Sequence, residues 1–501
     1  MEEETKKHLF ALLLILILAR GVFLLWDRPL LKDENLYAEM ADEFLQKPSL
    51  LPTYLGQEVA WRPAVYFLVS APFVIAGNLL AGLFGIDAGL PYRLAPLFFG
   101  AAAVAIMYLL VRREFGSDAA FASCALFAVS FCSVYTDTSG LVDSVLLFFI
   151  LSSLYFYFGG ALKGSGKYYL AGGVLMALAY WTKTVVAFLI PVVVIAYVFC
   201  KRKEDLRSRW FIASLLILPL SMLLYDSLFS DRTAITGEYL YNIPAKLIGG
   251  EGTEWNRPFL EKFSTALREI FAFNFLIFGA FLFSLRKNWR EHLWLSVWAL
   301  LILLTLFVGA GYFWYPLPVM PAICVFVSFL LFEKRDDRKM KADRFSNFVL
   351  ALLCLLIFTS SVFFLLLGFE GNYFEEREAG KYLQGKENVL YIGGYMPTAV
   401  FYKMRDGMPA PCIVYAFNET HLNESDFFLS NIYNFGKETN YSYSFRISQM
   451  FWNGTDLKVK CGREEFDYVL TCAMKKGMLD GNANYSLMKS FGNLSVYANR
   501  K

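Results

Sequence analysis

Histidine is scarce in this chain: three residues in 501, His8, His292 and His421, which argues against a histidine-built catalytic or metal site. No C-x-x-C, H-E-x-x-H, G-x-G-x-x-G or P-loop pattern occurs, so the commoner metal and nucleotide sites have no sequence support. Charge is thin as well. Charged residues make up 18% of the chain, against about 25% in ordinary soluble proteins. The net charge is only +3, and nothing points to nucleic acid as a partner. Of eight cysteines, Cys124, Cys132, Cys200, Cys324 and Cys354 fall in apolar runs, where a thiol is a small hydrophobe. Cys412, Cys461 and Cys472 lie in a polar tail that has room for one disulfide, with Cys461–Cys472 the expected pair. The apolar runs are continuous rather than alternating, which excludes a transmembrane barrel. The N-terminal "MEEETKKHLFALLLILILARGVFLLW" lacks a small-residue cleavage site and reads as a retained first helix.

What the chain has instead is apolar length. Hydrophobic residues are 57% of the sequence and aromatics 18%. Runs of 17 to 25 apolar residues recur through the first three quarters, the length that crosses roughly 30 Å of hydrocarbon. The expected class is a multi-pass α-helical membrane protein. Lys/Arg clusters at 6–7, 112–113, 163–167, 201–209, 286–290 and 333–344 set the orientation if all are cytoplasmic. Eleven spans then pair up: 8–26, 93–111, 118–135, 144–160, 168–182, 184–200, 210–229, 264–285, 291–310, 312–332 and 345–368. The run "AVYFLVSAPFVIAGNLLAGLFG", 65–86, is long enough to cross, yet a crossing would flip every later cluster. We therefore expect a re-entrant or interfacial helix broken at Pro72 and Gly77.

The division that follows is a transmembrane domain, 1–369, whose segment 27–92 is the first external loop, and a soluble external domain, 370–501. The tail casts an independent vote on sidedness. It holds six N-x-S/T sequons, at Asn418, Asn423, Asn440, Asn453, Asn484 and Asn493, and the rest of the chain holds none. Such acceptors are used only on an external or lumenal face. The expected location is a cell membrane, with the N-terminus cytoplasmic and the C-terminal domain outside. The sequons, with no ER-retrieval signal at the tail, fit an archaeal cell surface better than an ER lumen. Strand-like "NVLYIGG", "CIVYAF" and "FDYVLTC", a helical "PTAVFYKMRDG" and a hairpin-like "YSLMKSFGNLSVYA" describe a small α/β domain.

Chemistry concentrates at the outer turns. On a helix starting near Asp33, Leu36, Tyr37, Met40, Ala41 and Phe44 make one stripe and Glu39, Asp42 and Glu43 a wet side, the pattern of an interfacial helix. Asp33 and Glu34 at its first turn also suit plain capping. Arg62 ends the same loop and Arg93 opens the next span. Asp137 and Asp143 sit at the second outer turn, and Lys183 interrupts an apolar stretch at the third. Each cation alone could snorkel to the interface. Acids and bases recurring at successive turns on one face point to a shared site. A cationic pair can hold a phosphate, and a carboxylate can take a proton from a hydroxyl.

At these residues the sequence resembles the polyprenyl-phosphate-sugar-dependent glycosyltransferases of the C-type membrane fold, in particular the protein O-mannosyltransferase-like family and the bacterial lipid A aminoarabinose transferases. The resemblance rests on "KDENLYAEMADEFL", "WRPAVYFLVSAPF", "LVDSVLLFF", "WTKTVVAFLIP" and "YFWYPLPVMPA", in order over roughly residues 8–330. It implies a polyprenyl-phosphate sugar donor, a lipid, glycan or protein acceptor, and an inverting single displacement. Asp33 takes the place of the catalytic base. Arg62, Lys183 and Arg93 take donor-phosphate roles, with Glu34, Tyr37, Asp143 and Asp137 in support. Where many relatives have Glu or Lys near Trp61 and a double proline, this chain has "WRPA", so no metal ligand is expected at that position. A divalent cation stays open, and no cofactor is otherwise implied.

Other classes remain. A transporter or flippase would favour inverted repeats and charges at the midplane, neither of which is visible here. An oligosaccharyltransferase would carry Trp-Trp-Asp in its soluble domain, and "FWNGT" at 451–455 lacks the acid. A non-catalytic scaffold would need neither.

Overall fold

A computed structural model gives the architecture. It describes residues 2–228 apart from short breaks at 25–27, 31, 55–56, 59–63, 85–86, 88, 184–186 and 188. Beyond that it describes 275–301, 316–332, 340–367 and 373–386, together with Tyr402, Asp467 and the strands of the tail. The protein is a multi-pass helical membrane protein. The first ten helices are α1 (Glu2–Leu24), α2 (Lys32–Gln46), α3 (Val65–Phe84), α4 (Leu90–Phe115), α5 (Ser117–Val129), α6 (Phe131–Thr138), α7 (Asp143–Lys163), α8 (Gly166–Tyr180), α9 (Leu189–Lys201) and α10 (Arg209–Ser227). Residues 275–288, Leu293–Leu300, Met320–Phe332 and Met340–Leu367 are helical too. Among the described residues, α1, α3, α4 and α7 are each long and apolar enough to cross a membrane, and α5 with α6 forms one further candidate bent by 61° at Ser130.

Helical periodicity sorts each span into two faces. On α1, Leu12, Leu16, Ala19 and Phe23 are buried, while Phe10, Leu13, Leu14, Ile17, Leu18 and Val22 are exposed to what a bilayer would supply. The ends of the spans also segregate. At one end, Arg202 donates to the carbonyl of Ala161, Lys201 pairs with Glu114, and Ser117 reaches Glu4. Four of the basic clusters expected to be cytoplasmic, at 6–7, 112–113, 163–167 and 201–209, are therefore neighbours in space. The opposite end collects residues 28–46, the α6–α7 turn and the end of α8.

Three spans are locked by a buried ion pair in the bundle. Arg20 of α1 donates to Asp137 of α6 through Nε (3.1 Å) and Nη2 (2.6 Å), to Ser133 Oγ at 2.6 Å, and to the carbonyl of Ala128. Ser144 of α7 donates to the second oxygen of Asp137 at 2.7 Å. α4 comes close enough to close this knot because it presents Gly100 there, and a Cβ added at Gly100 would lie 2.1 Å from Asp137 Oδ1. Asp137 is thus engaged with Arg20, not with the loop cations beside which sequence placed it.

Two expectations for the first loop need correction. Pro72 and Gly77 do not break 65–86, because α3 runs through both as one helix. Proline is tolerated in such helices where neighbours satisfy the freed carbonyl. Gly77 serves instead as a point of close approach, its absent Cβ leaving room for Pro91 of α4 (2.6 Å to Cα). Both ends of α3 are fastened at the same end of the bundle. Tyr66 donates to the carbonyl of Gly140 (3.3 Å), and Asp87 beyond the far end accepts from Tyr402 of the tail (2.9 Å). That is the arrangement of a helix lying along one face, and Leu68, Ile75, Leu79, Leu83 and Phe84 form its exposed apolar side. The second correction concerns α2, whose expected wet side is covered. Glu39 is buried and Asp42 and Glu43 are half-buried, because α3, α4 and the hairpin of β1 (Thr53–Tyr54) and β2 (Gln57–Glu58) pack around it.

The tail forms a sheet in the order β4-β3-β7-β9-β8, from β3 (Val389–Ile392), β4 (Cys412–Val414), β7 (Tyr468–Cys472), β8 (Tyr485–Phe491) and β9 (Leu494–Asn499). β3 pairs in parallel with both β4 and β7, and β7 and β8 pair antiparallel with β9. A further hairpin joins β5 (Met450–Trp452) and β6 (Leu457–Val459). A helix at Tyr373–Tyr382 packs against β8 and β9. All four strand regions read from sequence are present. The helix expected at 397–407 lies outside the described residues except for Tyr402, as do all six sequon asparagines, Cys461 and the side chain of Cys472.

Removing one partner of the Arg20–Asp137 pair strands a buried charge, which typically costs about 3–5 kcal/mol. Asp137→Asn is expected to lower the thermal midpoint of the detergent-purified protein far more than Asp118→Asn at the surface. Equal midpoints for the two variants would show that the knot contributes nothing.

Candidate active site

The segment between α1 and α2 is positioned by one carboxylate. Glu34, in the first turn of α2, is completely buried. Its Oε1 accepts from Arg28 Nη2 (3.2 Å) and from the backbone N–H of Gly140 (3.0 Å), and its Oε2 accepts from Arg93 Nη2 (3.1 Å). Each arginine is tied further. Arg28 Nη2 donates to the carbonyl of Thr138 (2.6 Å) and to Ser139 Oγ (3.0 Å), while Arg93 donates to the carbonyls of Arg28 and Pro29. Burial, together with the neighbouring Arg93, draws the Arg28 guanidinium down to about 10, with Glu34 opposing the shift. Arg28 therefore stays charged at any physiological pH. The clamp joins the residues before α2, the start of α4 and the α6–α7 turn.

Around Gly140 the other turns arrive. Tyr66 at the start of α3 donates to the Gly140 carbonyl and stacks edge-on against Tyr37 of α2 (centroids 5.6 Å apart). The backbone N–H of Val65 donates to the carbonyl of Trp181 (3.2 Å), which brings in the end of α8. Two residues on, Lys183 is held past that end by its N–H to Ala179. Lys183 Nζ donates to Asp143 Oδ1 at 2.7 Å, and both side chains are buried. Asp143 opens α7, where unpaired N–H groups and the helix dipole favour a carboxylate.

Asp33 sits beside Glu34 in the first turn of α2, half-buried and one helical turn before Tyr37 on the same face. The chain segments that carry the side chains expected to act together therefore meet here. Asp33, Glu34 and Tyr37 arrive on α2, Asp143 on α7, and Lys183 after α8. Arg93 is also here, but it grips Glu34 and two carbonyls, the geometry of a brace for the loop. Asp137 stands apart in its knot with Arg20. Arg62 lies outside the described residues. Sequence reasoning missed Arg28 and Arg20. Arg20 carried the signal that singled out Lys183, an isolated cation inside an apolar run. Among the described residues, one trio of close metal-type ligands occurs, Glu4, His8 and Asp118, at the opposite end of the bundle.

Fold and site together define a membrane protein that holds buried acids and cations at one end of its helices, the end where the tail with its small sheet makes contact. Comparisons make this more particular. A family model described as dolichyl-phosphate-mannose-protein mannosyltransferase matches residues 71–225. The structure is similar to that of ArnT from Cupriavidus metallidurans, solved bound to undecaprenyl phosphate. The TM-score is 0.63 at 16% identity, over 98% of this chain and 97% of that one. It is also similar to the oligosaccharyltransferase AglB from Archaeoglobus fulgidus, solved with an inhibitory peptide and a dolichol-phosphate. There the TM-score is 0.52 at 11% identity, over 99% of this chain and 74% of that one. No curated protein sequence matches. The chain has the C-type glycosyltransferase fold.

Glu34→Gln keeps the shape of the clamp and removes the charge that two guanidiniums share. The expected result is a large fall in thermal midpoint, on the scale of a broken buried pair, about 3–5 kcal/mol. Glu43→Gln, half-buried on the same helix, is expected to cost much less, and a midpoint equal to wild type for Glu34→Gln would rule the clamp out.

Proposed function

We propose that the protein is a membrane glycosyltransferase that moves a sugar from a polyprenyl-phosphate donor to a hydroxyl of an external acceptor. The observation that carries this is the convergence of Asp33's helix turn with the buried Asp143–Lys183 pair around Gly140. It brings the turn that carries Asp33 and a buried carboxylate–cation pair to the same end of a bundle whose flanks are apolar. The likeness to proteins solved with undecaprenyl phosphate or dolichol-phosphate supports the donor class.

In this reading Asp33 accepts the proton of the acceptor hydroxyl as its oxygen attacks the anomeric carbon. The bond from that carbon to the phosphate oxygen breaks, and the electron pair leaves with the polyprenyl phosphate. Charge grows on the phosphate as the bond lengthens, so a fixed cation favours the transition state over the ground state. Lys183, oriented by Asp143, supplies that cation, with Arg62 from the same loop as the second. Attack opposite the leaving phosphate inverts the anomeric centre. Arg28, Arg93 and Glu34 hold the α2 turn at the geometry this transfer needs. The site end is external and the basic end cytoplasmic, by the distribution of Lys and Arg. The six sequons of the tail agree, and the setting is a cell membrane, in keeping with an archaeal surface. We assign no metal to this reading.

Membranes containing the protein, incubated with radiolabelled polyprenyl-phosphate sugar, are expected to yield labelled acceptor. Movement of intact donor across the bilayer without product would identify a transporter instead. Asp33→Asn is expected to lower turnover by about 10²–10⁴-fold while leaving the thermal midpoint near wild type. Full activity in that variant removes the assignment. Lys183→Met removes a charge-assisted hydrogen bond worth about 1.5–3 kcal/mol, which corresponds to roughly ten- to hundredfold in donor use. An unchanged kcat/KM would exclude Lys183 from the donor site.

A further inference from the structure

One contact between the tail and the membrane bundle leads directly to the site. Asp87 lies in the connection between α3 and α4. Its Oδ1 accepts from the backbone N–H of Gly89 at 2.8 Å, and its backbone carbonyl accepts from Leu90 N–H at 3.1 Å. It therefore fixes the first turn of α4, whose fourth residue is Arg93. The same Oδ1 accepts from Tyr402 Oη at 2.9 Å, and Oδ2 lies 3.9 Å from Arg377 Nη1. Both partners belong to the C-terminal domain, more than 280 residues away in sequence.

Each side of this contact is well seated. Tyr402 is buried, its carbonyl accepts from Gln384 Nε2 at 2.7 Å, and Lys381 lies over its ring. Burial and the adjacent Asp87 hold the phenol well above its usual range, so it remains a donor at physiological pH. On the membrane side, Gly89 is packed against Leu30, where a Cβ would meet Leu30 Cδ2 at 3.0 Å. The carbonyl of Leu30 accepts from Asn35 Nδ2 of α2 at 2.9 Å. Two short paths thus run from Asp87 to the turn carrying Asp33: through Gly89, Leu30 and Asn35, and through α4, Arg93 and Glu34.

We propose that Asp87 is a positioning residue through which the C-terminal domain, by way of Tyr402 and Arg377, sets the α2 turn for transfer. Asp87 touches neither donor nor acceptor in this account; it holds the ground on which Arg93 and Leu30 stand. The tail is then part of the catalytic assembly, and anything that shifts it, such as acceptor bound against the sheet, alters turnover. The catalytic consequence rests on the glycosyltransferase reading; the mechanical coupling does not.

The test uses the full-length protein in lipid nanodiscs. Tyr402→Phe removes the cross-domain hydrogen bond and leaves the Gly89 cap intact, while Asp87→Ala removes both and Asp87→Asn retains both acceptor contacts. Hydrogen exchange of the amides at 28–36 and 90–95 is expected to quicken in Tyr402→Phe and more in Asp87→Ala, with Asp87→Asn, which loses only the charge facing Arg377, between wild type and Tyr402→Phe. In the transfer assay, kcat is expected to fall several-fold in the same order with donor KM nearly constant. Exchange and kcat both unchanged in Tyr402→Phe and Asp87→Ala would overturn the proposal. So would faster exchange spread uniformly over the bundle, which marks general destabilisation. If the wild type shows no transfer, the glycosyltransferase reading fails by itself, and the exchange experiment still decides whether Asp87 couples the tail to the site.

Discussion

A single carboxylate, that of Glu34, decides where the segment between α1 and α2 can be. Completely buried, it cannot remain charged without partners, and it finds two guanidiniums and a backbone N–H at 3.0–3.2 Å. Because those partners come from the residues after α1, from α4 and from the α6–α7 turn, satisfying one charge fixes three chain segments at once. A buried pair of this kind adds little net stability compared with apolar packing, since desolvation offsets most of the attraction. What it supplies is a unique geometry, and the neighbouring residue, Asp33, inherits it. The Asp143–Lys183 pair extends the same logic to α7 and α8.

The distribution of charge along the spans follows from the solvent. Ionisable groups at membrane depth survive only when paired, and the two arrangements found here serve different ends. Arg20–Asp137, together with Ser133 and Ser144, is closed upon itself, its hydrogen bonds made within the bundle. The pairs near Gly140 stand at the end of the bundle where the loops between spans meet. In our reading this difference of depth separates a structural tie from a reactive site built of the same residue types.

Much of this was legible from residue order. The long apolar helices α1, α4 and α7 could be read because apolar runs of membrane-crossing length have few alternative uses, and the strands at 389–392, 412–414, 468–472 and 485–499 because β-branched and aromatic residues cluster there. The stripe Leu36, Tyr37, Met40, Ala41 and Phe44 is buried as its spacing implied. The other face of α2 was misread: Glu39 looks like solvent contact in a helical wheel, and only the packing of α3 and α4 encloses it. Pro72 and Gly77 carry breaker chemistry in water, but inside a packed apolar helix one is accommodated and the other lets Pro91 approach. The partners of Glu34 were invisible because they lie 6, 59 and 106 residues away. Arg28 was not singled out, and Asp137 looked equivalent to Asp143 although one hydrogen-bond network claims it.

The central claim is that the acid of the α2 turn and the cation beyond α8 share one pocket built to receive a lipid phosphate. A density map of the full-length protein bound to polyprenyl phosphate addresses it most directly. The account places the phosphate within hydrogen-bond distance of Lys183 Nζ and facing the carboxylate of Asp33. A phosphate seated at the basic end of the bundle, or one near Lys183 with Asp33 turned toward a separate surface, would contradict it.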